Sequence, residues 1–161
     1  MSLYSRRSLF CLPLALAACG FSPVYGPDGT GARLRGQVLV QEPDTQAGYL
    51  LTRHMETRLG RSGAAARYAL DYDIEIGQDG LAINRAGDIT RFNLVGLVGF
   101  ALRDTTDGRI LTSGQVENFT ACSATGTPVA TLAAEQDAVE RLMVILADQM
   151  TARLFALDLA P

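Results

Sequence analysis

The chain has 161 residues, 48% of them hydrophobic and 19% charged, and carries 14 basic and 17 acidic side chains for a formal charge of −3. Every basic residue is arginine, and removing residues 1–18, as argued next, takes away two arginines and no acids, leaving 12 cations against 17 anions. A single acidic domain of this size excludes a general nucleic-acid binder, whose binding face must be basic.

Arg6 and Arg7 precede an apolar run over residues 9–17, which Pro13 interrupts and Gly20, Ser22 and Pro23 follow. A membrane-spanning helix needs about 20 apolar residues, so residues 1–18 read as a secretory signal. The order Leu16-Ala17-Ala18-Cys19 resembles the bacterial lipobox, in which the chain is cut between Ala18 and Cys19 and the cysteine is acylated. Sec and twin-arginine export both fit the arginine pair. Each buried acyl methylene contributes about 0.8 kcal/mol, so a multiply acylated Cys19 holds its protein at a membrane surface. Gly20 stands where an aspartate would resemble an inner-membrane retention signal, which favours the inner leaflet of the outer membrane. With Cys11 removed and Cys19 acylated, Cys122 is the only thiol left, and no internal disulfide forms. It reads as a small, partly buried residue at a strand end, with a reactive or partner-linked thiol as the alternative.

Residues 19–34 are rich in Gly and Pro and read as a flexible tether to a domain spanning 35–161. "GQVLVQEP" predicts a short strand ended by Pro43. Ala47, Leu51, Met55 and Leu59 then recur at steps of four, predicting a helix over residues 45–59 with Asp44 or Thr45 as its cap and Gly60 at its left-handed end. "RYALDYDIEIGQDG" alternates, with Tyr68, Leu70, Tyr72, Ile74 and Ile76 on one face and Asp71, Asp73 and Glu75 on the other. After a turn at residues 86–88, a strand over 89–103 carries Phe92, Leu94, Val98, Phe100 and Leu102 on one side, with Gly96 and Gly99 inviting a bulge or a bend. Asp107-Gly108 predicts a hairpin into a strand over residues 109–121. The last segment is a helix whose stripe, Leu132, Val139, Leu142, Leu146, Met150 and Leu154, forms a core face.

The order β-α-β-β-β-α predicts an α+β, two-layer sandwich with two helices on one face of a four-stranded mixed sheet. Its core should join Tyr68, Leu70, Tyr72, Ile74, Phe92, Leu94 and Phe100 to Leu51, Met55, Leu142, Leu146 and Met150. Catalytic chemistry is poorly represented. The single histidine, His54, lies mid-helix with no nucleophile signature near it, and one Cys and one His far apart make no zinc site. Asp71, Asp73 and Glu75 fit a solvated strand face as well as a metal or glycosidase site. No phosphate cradle follows the Gly-rich turns, and no cofactor, metal or catalytic residue is assigned.

The opening "CGFSPVYG" resembles the Cys-Gly-Phe-x-Pro-Leu-Tyr-Gly start of the LptE family of lipopolysaccharide-assembly lipoproteins, with Val24 in place of the usual leucine. "AINRAGDITRFNLVGLVGFALRD", "GRILTSGQVENFTA" and "TLAAEQDAVERLMVILADQMTARL" are similar to the strands and last helix of its alphaproteobacterial members. The resemblance implies a non-enzymatic outer-membrane lipoprotein, held at the periplasmic face through Cys19. Such a protein plugs and helps assemble the LptD β-barrel and assists delivery of lipopolysaccharide. A free periplasmic lipoprotein that binds a lipid or cell-wall ligand is the alternative. The edge strands and the loops over residues 84–91 and 105–109 are the candidate barrel-facing surfaces. Within them Arg85, Arg91 and Arg109 are expected to project from one end of the sheet and meet lipid A phosphates or acidic groups of the barrel.

Overall fold

The computed structural model describes residues 24–26, 29–63, 65–83, 85, 87–124, 126–157 and 159. The signal peptide and the lipidation and cleavage site at Ala18 and Cys19 lie outside the described residues. The elements are α1 (Thr30–Leu34), β1 (Val38–Val40), α2 (Gln46–Leu59), β2 (Tyr68–Ile83), β3 (Ile89–Asp104), β4 (Ile110–Ser123) and α3 (Pro128–Phe155). The sheet order is β1-β2-β3-β4, with β1 parallel to β2 and the other neighbours antiparallel. The fold is the expected α+β sandwich on a mixed sheet, with the five-residue α1 added at its start.

That added helix corrects the tether reading. Gly31 and Leu34 are buried, the Thr30 hydroxyl donates to the Leu157 carbonyl at 2.7 Å, and Arg33 donates to the Leu159 carbonyl. Tyr25 meets Phe155 edge to face at 5.3 Å between ring centroids. Ordered chain therefore precedes residue 35, because the small Gly31 lets Val24 and Tyr25 lie against α1 and gives Leu34 an apolar seat beside the long helices. A Gly- and Pro-rich composition shows no such packing by itself.

Capping fixes the ends of both long helices. The Thr45 hydroxyl accepts from the Gly48 amide at 3.0 Å, and Gly60 takes φ 79° where a side chain would be strained. α3 opens on Thr127 and Pro128 and runs 28 residues, about 42 Å. Leu51, Met55, Leu142, Leu146 and Met150 are fully buried against Leu70, Leu94, Val98 and Leu102. Of the expected core, Tyr68, Tyr72 and Phe100 are buried, while Ile74 and Phe92 are partly buried at its margin. Gly96 and Gly99 sit in regular register; the irregularities fall between Gly80 and Ile83 and at Leu102/Arg103. The predicted bulge is thus misplaced, and Gly96 serves another need: an added Cβ would meet Leu142 and Leu146 at 2.9 and 3.0 Å, so this glycine lets α3 approach the sheet.

One member of the predicted core stripe does not join it. Leu132 is 56% exposed and lines a groove with Ile76 instead of entering the core. Ile76 is likewise 40% exposed, at the point where the sheet outruns its helical cover.

Candidate functional site

The end of the sheet formed by the β2–β3 hairpin is where backbone and apolar groups are left open. β1 pairs with β2 only from Tyr68 to Leu70. One further rung is made by Gln41, whose amide donates to the Leu70 carbonyl at 2.9 Å and whose side-chain oxygen accepts from the Tyr72 amide at 3.1 Å. Tyr68, Leu70 and Tyr72 turn their backbone groups toward β1, so by the strand's alternation Ile74, Ile76, Gln78 and Gly80 turn theirs outward. Among the described residues no strand flanks this edge. At the other side of the sheet β4 is also an edge, where Arg141 from α3 donates to the Ala121 carbonyl at 3.2 Å.

Two apolar hollows lie beside these edges. Ile76, Ala47, Leu132 and Val139 line a groove of about 400 Å³ between the starts of α2 and α3, with Glu135 and Gln136 at its rim. On the sheet face that the helices leave open, Val95 and Phe119 form a shallow hollow of about 380 Å³, bordered by Asn93 and Glu117. Phe119 is 61% exposed there. Asp71, Asp73 and Glu75 share this open face as the alternation predicts, with Asp71 ion-paired to Arg103. Among the described residues no group of three or more His, Cys, Asp and Glu side chains is placed to hold a metal ion.

The three predicted arginines do not converge. Arg85 sits exposed in the β2–β3 turn, and Arg91 is exposed on β3 opposite Ser123. Arg109 lies after the β3–β4 turn with Asp107 at 3.7 Å, at the opposite end of a 16-residue strand and roughly 45 Å away along it. In an antiparallel meander successive turns lie at opposite ends, so the expectation of one shared end is corrected for Arg109 and kept for Arg85 and Arg91.

The other titratable residues with shifted pKa values are distributed over α2, β2, α3 and β4 and the β3–β4 turn. Burial lowers the His54 pKa from its ordinary 6.5, and Arg53 and Arg58 act in the same direction. Arg58 pairs with Asp148, whose carboxyl is held below its usual value by that hydrogen bond. Cys122 is buried near the end of β4, and burial raises its thiol pKa, which disfavours the nucleophilic thiolate. The Tyr72 hydroxyl, raised chiefly by burial, meets Thr52 at 2.9 Å and ties α2 to β2. Sequence reasoning named edge strands in general as candidate surfaces but missed the groove, although Ile76 and Leu132 each stand at the outer limit of an apolar pattern.

No helix among the described residues is long and apolar enough to cross a membrane. The sequence pattern of the LptE family, described as lipopolysaccharide-assembly, matches residues 36–154. No curated protein matches the chain. Among solved structures, a lipoprotein of Caulobacter crescentus CB15 is similar at 23% identity and TM-score 0.64, with 78% of this chain and 92% of that one covered. The minor lipoprotein of Acinetobacter baumannii follows at 15% and 0.55, covering 74% and 88%. The rare lipoprotein B of Shewanella oneidensis stands at 12% and 0.54, covering 73% and 91%. At these identities the likeness is one of fold.

Proposed function

The chain belongs to the LptE lipopolysaccharide-assembly family, and from that premise we propose that it acts as the plug and assembly partner of an LptD-like outer-membrane β-barrel. In this reading Cys19 is acylated, the domain stands at the periplasmic side of the outer membrane, and lipopolysaccharide passes to the outer leaflet with its assistance. The role is one of binding and positioning, with no bond made or broken.

The observation that carries the reading is the family match over residues 36–154, which spans the sheet and both long helices. The hairpin end supports it physically. A plug must offer hydrogen-bonding and apolar surface to a barrel lumen, and the unpaired β2 edge beside the groove at Ile76 and Leu132 offers both in one place. Arg85 and Arg91 lie at the hairpin end of the sheet, where they are suited to charge-assisted contacts with lipid A phosphates or barrel carboxylates.

Purification of the acylated chain in mild detergent tests the reading. A large β-barrel protein is expected to copurify in stable amount, and Ile76→Glu with Leu132→Glu should release it while the domain stays folded. A chain that purifies without a barrel from its own outer membrane would support the alternative of a free lipid-binding lipoprotein. Replacing Arg85 and Arg91 by glutamate should weaken lipopolysaccharide binding more than tenfold at unchanged melting temperature, and unchanged affinity would return both to ordinary surface charge.

A further inference from the structure

β1 ends early beside β2. Val38 and Val40 turn toward the helices and are buried, while Leu39 between them is 47% exposed. After the Gln41 rung the chain reaches Pro43, which has no backbone N–H to donate, and turns away to the Thr45 cap of α2. β2 runs on to Ile83. The outward-facing N–H and C=O groups of Ile74, Ile76, Gln78 and Gly80 thus form an open edge of about 20 Å, enough for a strand of about seven residues. A strand laid there would alternate as β1 does. Every second side chain would fall toward the helices, into the groove lined by Ala47, Ile76, Leu132 and Val139.

The other side chains of such a strand would fall on the open sheet face, beside Asp73, Glu75 and Asp79. These three are exposed, and none pairs with an arginine among the described residues. Glu135 at the groove's rim, and Glu42 and Asp44 on the connection that leaves β1, likewise make no ion pair there. Cations on the neighbouring elements are engaged elsewhere: Arg53 with Glu140, Arg103 with Asp71 and Arg141 with Asp137. Arg85 and Arg91 belong to the hairpin tip, where the register is irregular between Gly80 and Ile83. This charge disfavours a second copy of the chain as the added strand. Two-fold pairing of β2 with itself would set Asp73, Glu75 and Asp79 against the same carboxylates, and like charges directly opposite are destabilising. The complementary occupant is a segment whose alternate side chains are basic.

We infer that the open β2 edge from Ile74 to Gly80 takes up an extended segment of the barrel partner as an added strand, with alternate apolar side chains in the groove and alternate lysine or arginine side chains against Asp73, Glu75 and Asp79. That the barrel supplies this segment rests on the plug reading above; the preference of the edge for an extended, basic segment does not. Main-chain hydrogen bonds hold such a strand without regard to sequence, and the groove and the carboxylates decide which segment is accepted. Pairing also closes an edge that would otherwise be open to aggregation.

Calorimetric titration of the purified, exported chain in mild detergent with capped peptides of about seven residues tests the recognition. A peptide alternating valine with lysine should bind, and one alternating valine with glutamate should bind at least tenfold more weakly, the difference narrowing in about 0.5 M salt. Gln78→Pro removes one outward N–H and leaves the β3 ladder intact, so it should weaken the valine–lysine peptide at least tenfold. On β4 the odd positions face outward, as the Ala121 carbonyl bonded by Arg141 shows, so Gln115→Pro is the matched control and should leave binding unchanged. Glu75→Lys with Asp79→Lys should reverse the choice between the two peptides. No binding by the parent chain, or unaltered binding in the folded Gln78→Pro or charge-reversed variant, would overturn the inference. Copurification tells the two readings apart. A barrel retained in full by Gln78→Pro refutes strand addition and leaves the plug reading standing, whereas a parent chain that brings no barrel refutes the plug reading and with it the barrel as the source of the strand.

Discussion

Gly96 and Gly99 occupy the same strand three residues apart and meet opposite surroundings. A Cβ at Gly96 would press on Leu142 and Leu146, both fully buried, whereas one at Gly99 meets nothing within 4 Å. Gly96→Val should therefore cost about 1–3 kcal/mol by overpacking, and Gly99→Val should be neutral or stabilise by up to about 1 kcal/mol. Urea titrations of the two variants check this, and equal effects would contradict the close helix contact. His54 sets a pH dependence. Its folded-state pKa lies below 6.5, so above that pH it is neutral in both states, and as pH falls the unfolded chain takes the proton first. Stability should fall as pH drops below about 6.5 and level off once native His54 titrates. Asp148, held below its usual 3.8 by Arg58, adds a second loss at lower pH. His54→Gln is expected to flatten the change in melting temperature between pH 7.5 and 5.5, and an unaltered slope would assign that dependence to other groups.

α3 is one helix with two environments. From Ala138 to Leu154 its inner side is buried against β3, β4 and α2, while Val129 and Leu132 in its first turns are 77% and 56% exposed. Leu146→Ala should cost about 2–5 kcal/mol, as expected for a fully enclosed leucine. Leu132→Ala should change stability by less than about 0.5 kcal/mol. Thermal melts of the pair check the boundary, and a large loss for Leu132→Ala would place the groove inside the core. The 3.6-residue period that marked this helix assigned six of its leucine, valine and methionine positions to one stripe. Periodicity reports which side of a helix is apolar, and only the length of the facing sheet decides how far along that side is covered.

At the scale of the molecule, one end carries the entering chain and the ends of the long helices, and the other carries an unpaired strand edge and an apolar groove. If Cys19 is acylated as proposed, anchoring at the first end leaves the second free for a partner. Cys19→Ser should leave the melting temperature of the folded domain unchanged, because the nearest described residue, Val24, is five positions away. In cells lacking the barrel partner, fractionation should show the variant losing stable outer-membrane association. A Ser variant that sediments with outer membranes as fully as the parent chain would contradict the lipobox reading.

Local pattern alone determined a good deal here. Alternation at Tyr68, Leu70 and Tyr72, the four-step repeat of Ala47, Leu51, Met55 and Leu59, and the turn residues Asp107-Gly108 identified the strands, a helix and a hairpin, because dihedral preference and side-chain direction are set within a few residues. Tertiary structure alone decided what depends on distant chain. Leu34 and Gly31 became core only through α3, Gly96 acquired its purpose from Leu142, and Arg109 was separated from Arg91 by the length of β3. The groove at Ile76 is of the same kind: it arises from segments far apart in sequence, brought together when sheet and helices pack face to face.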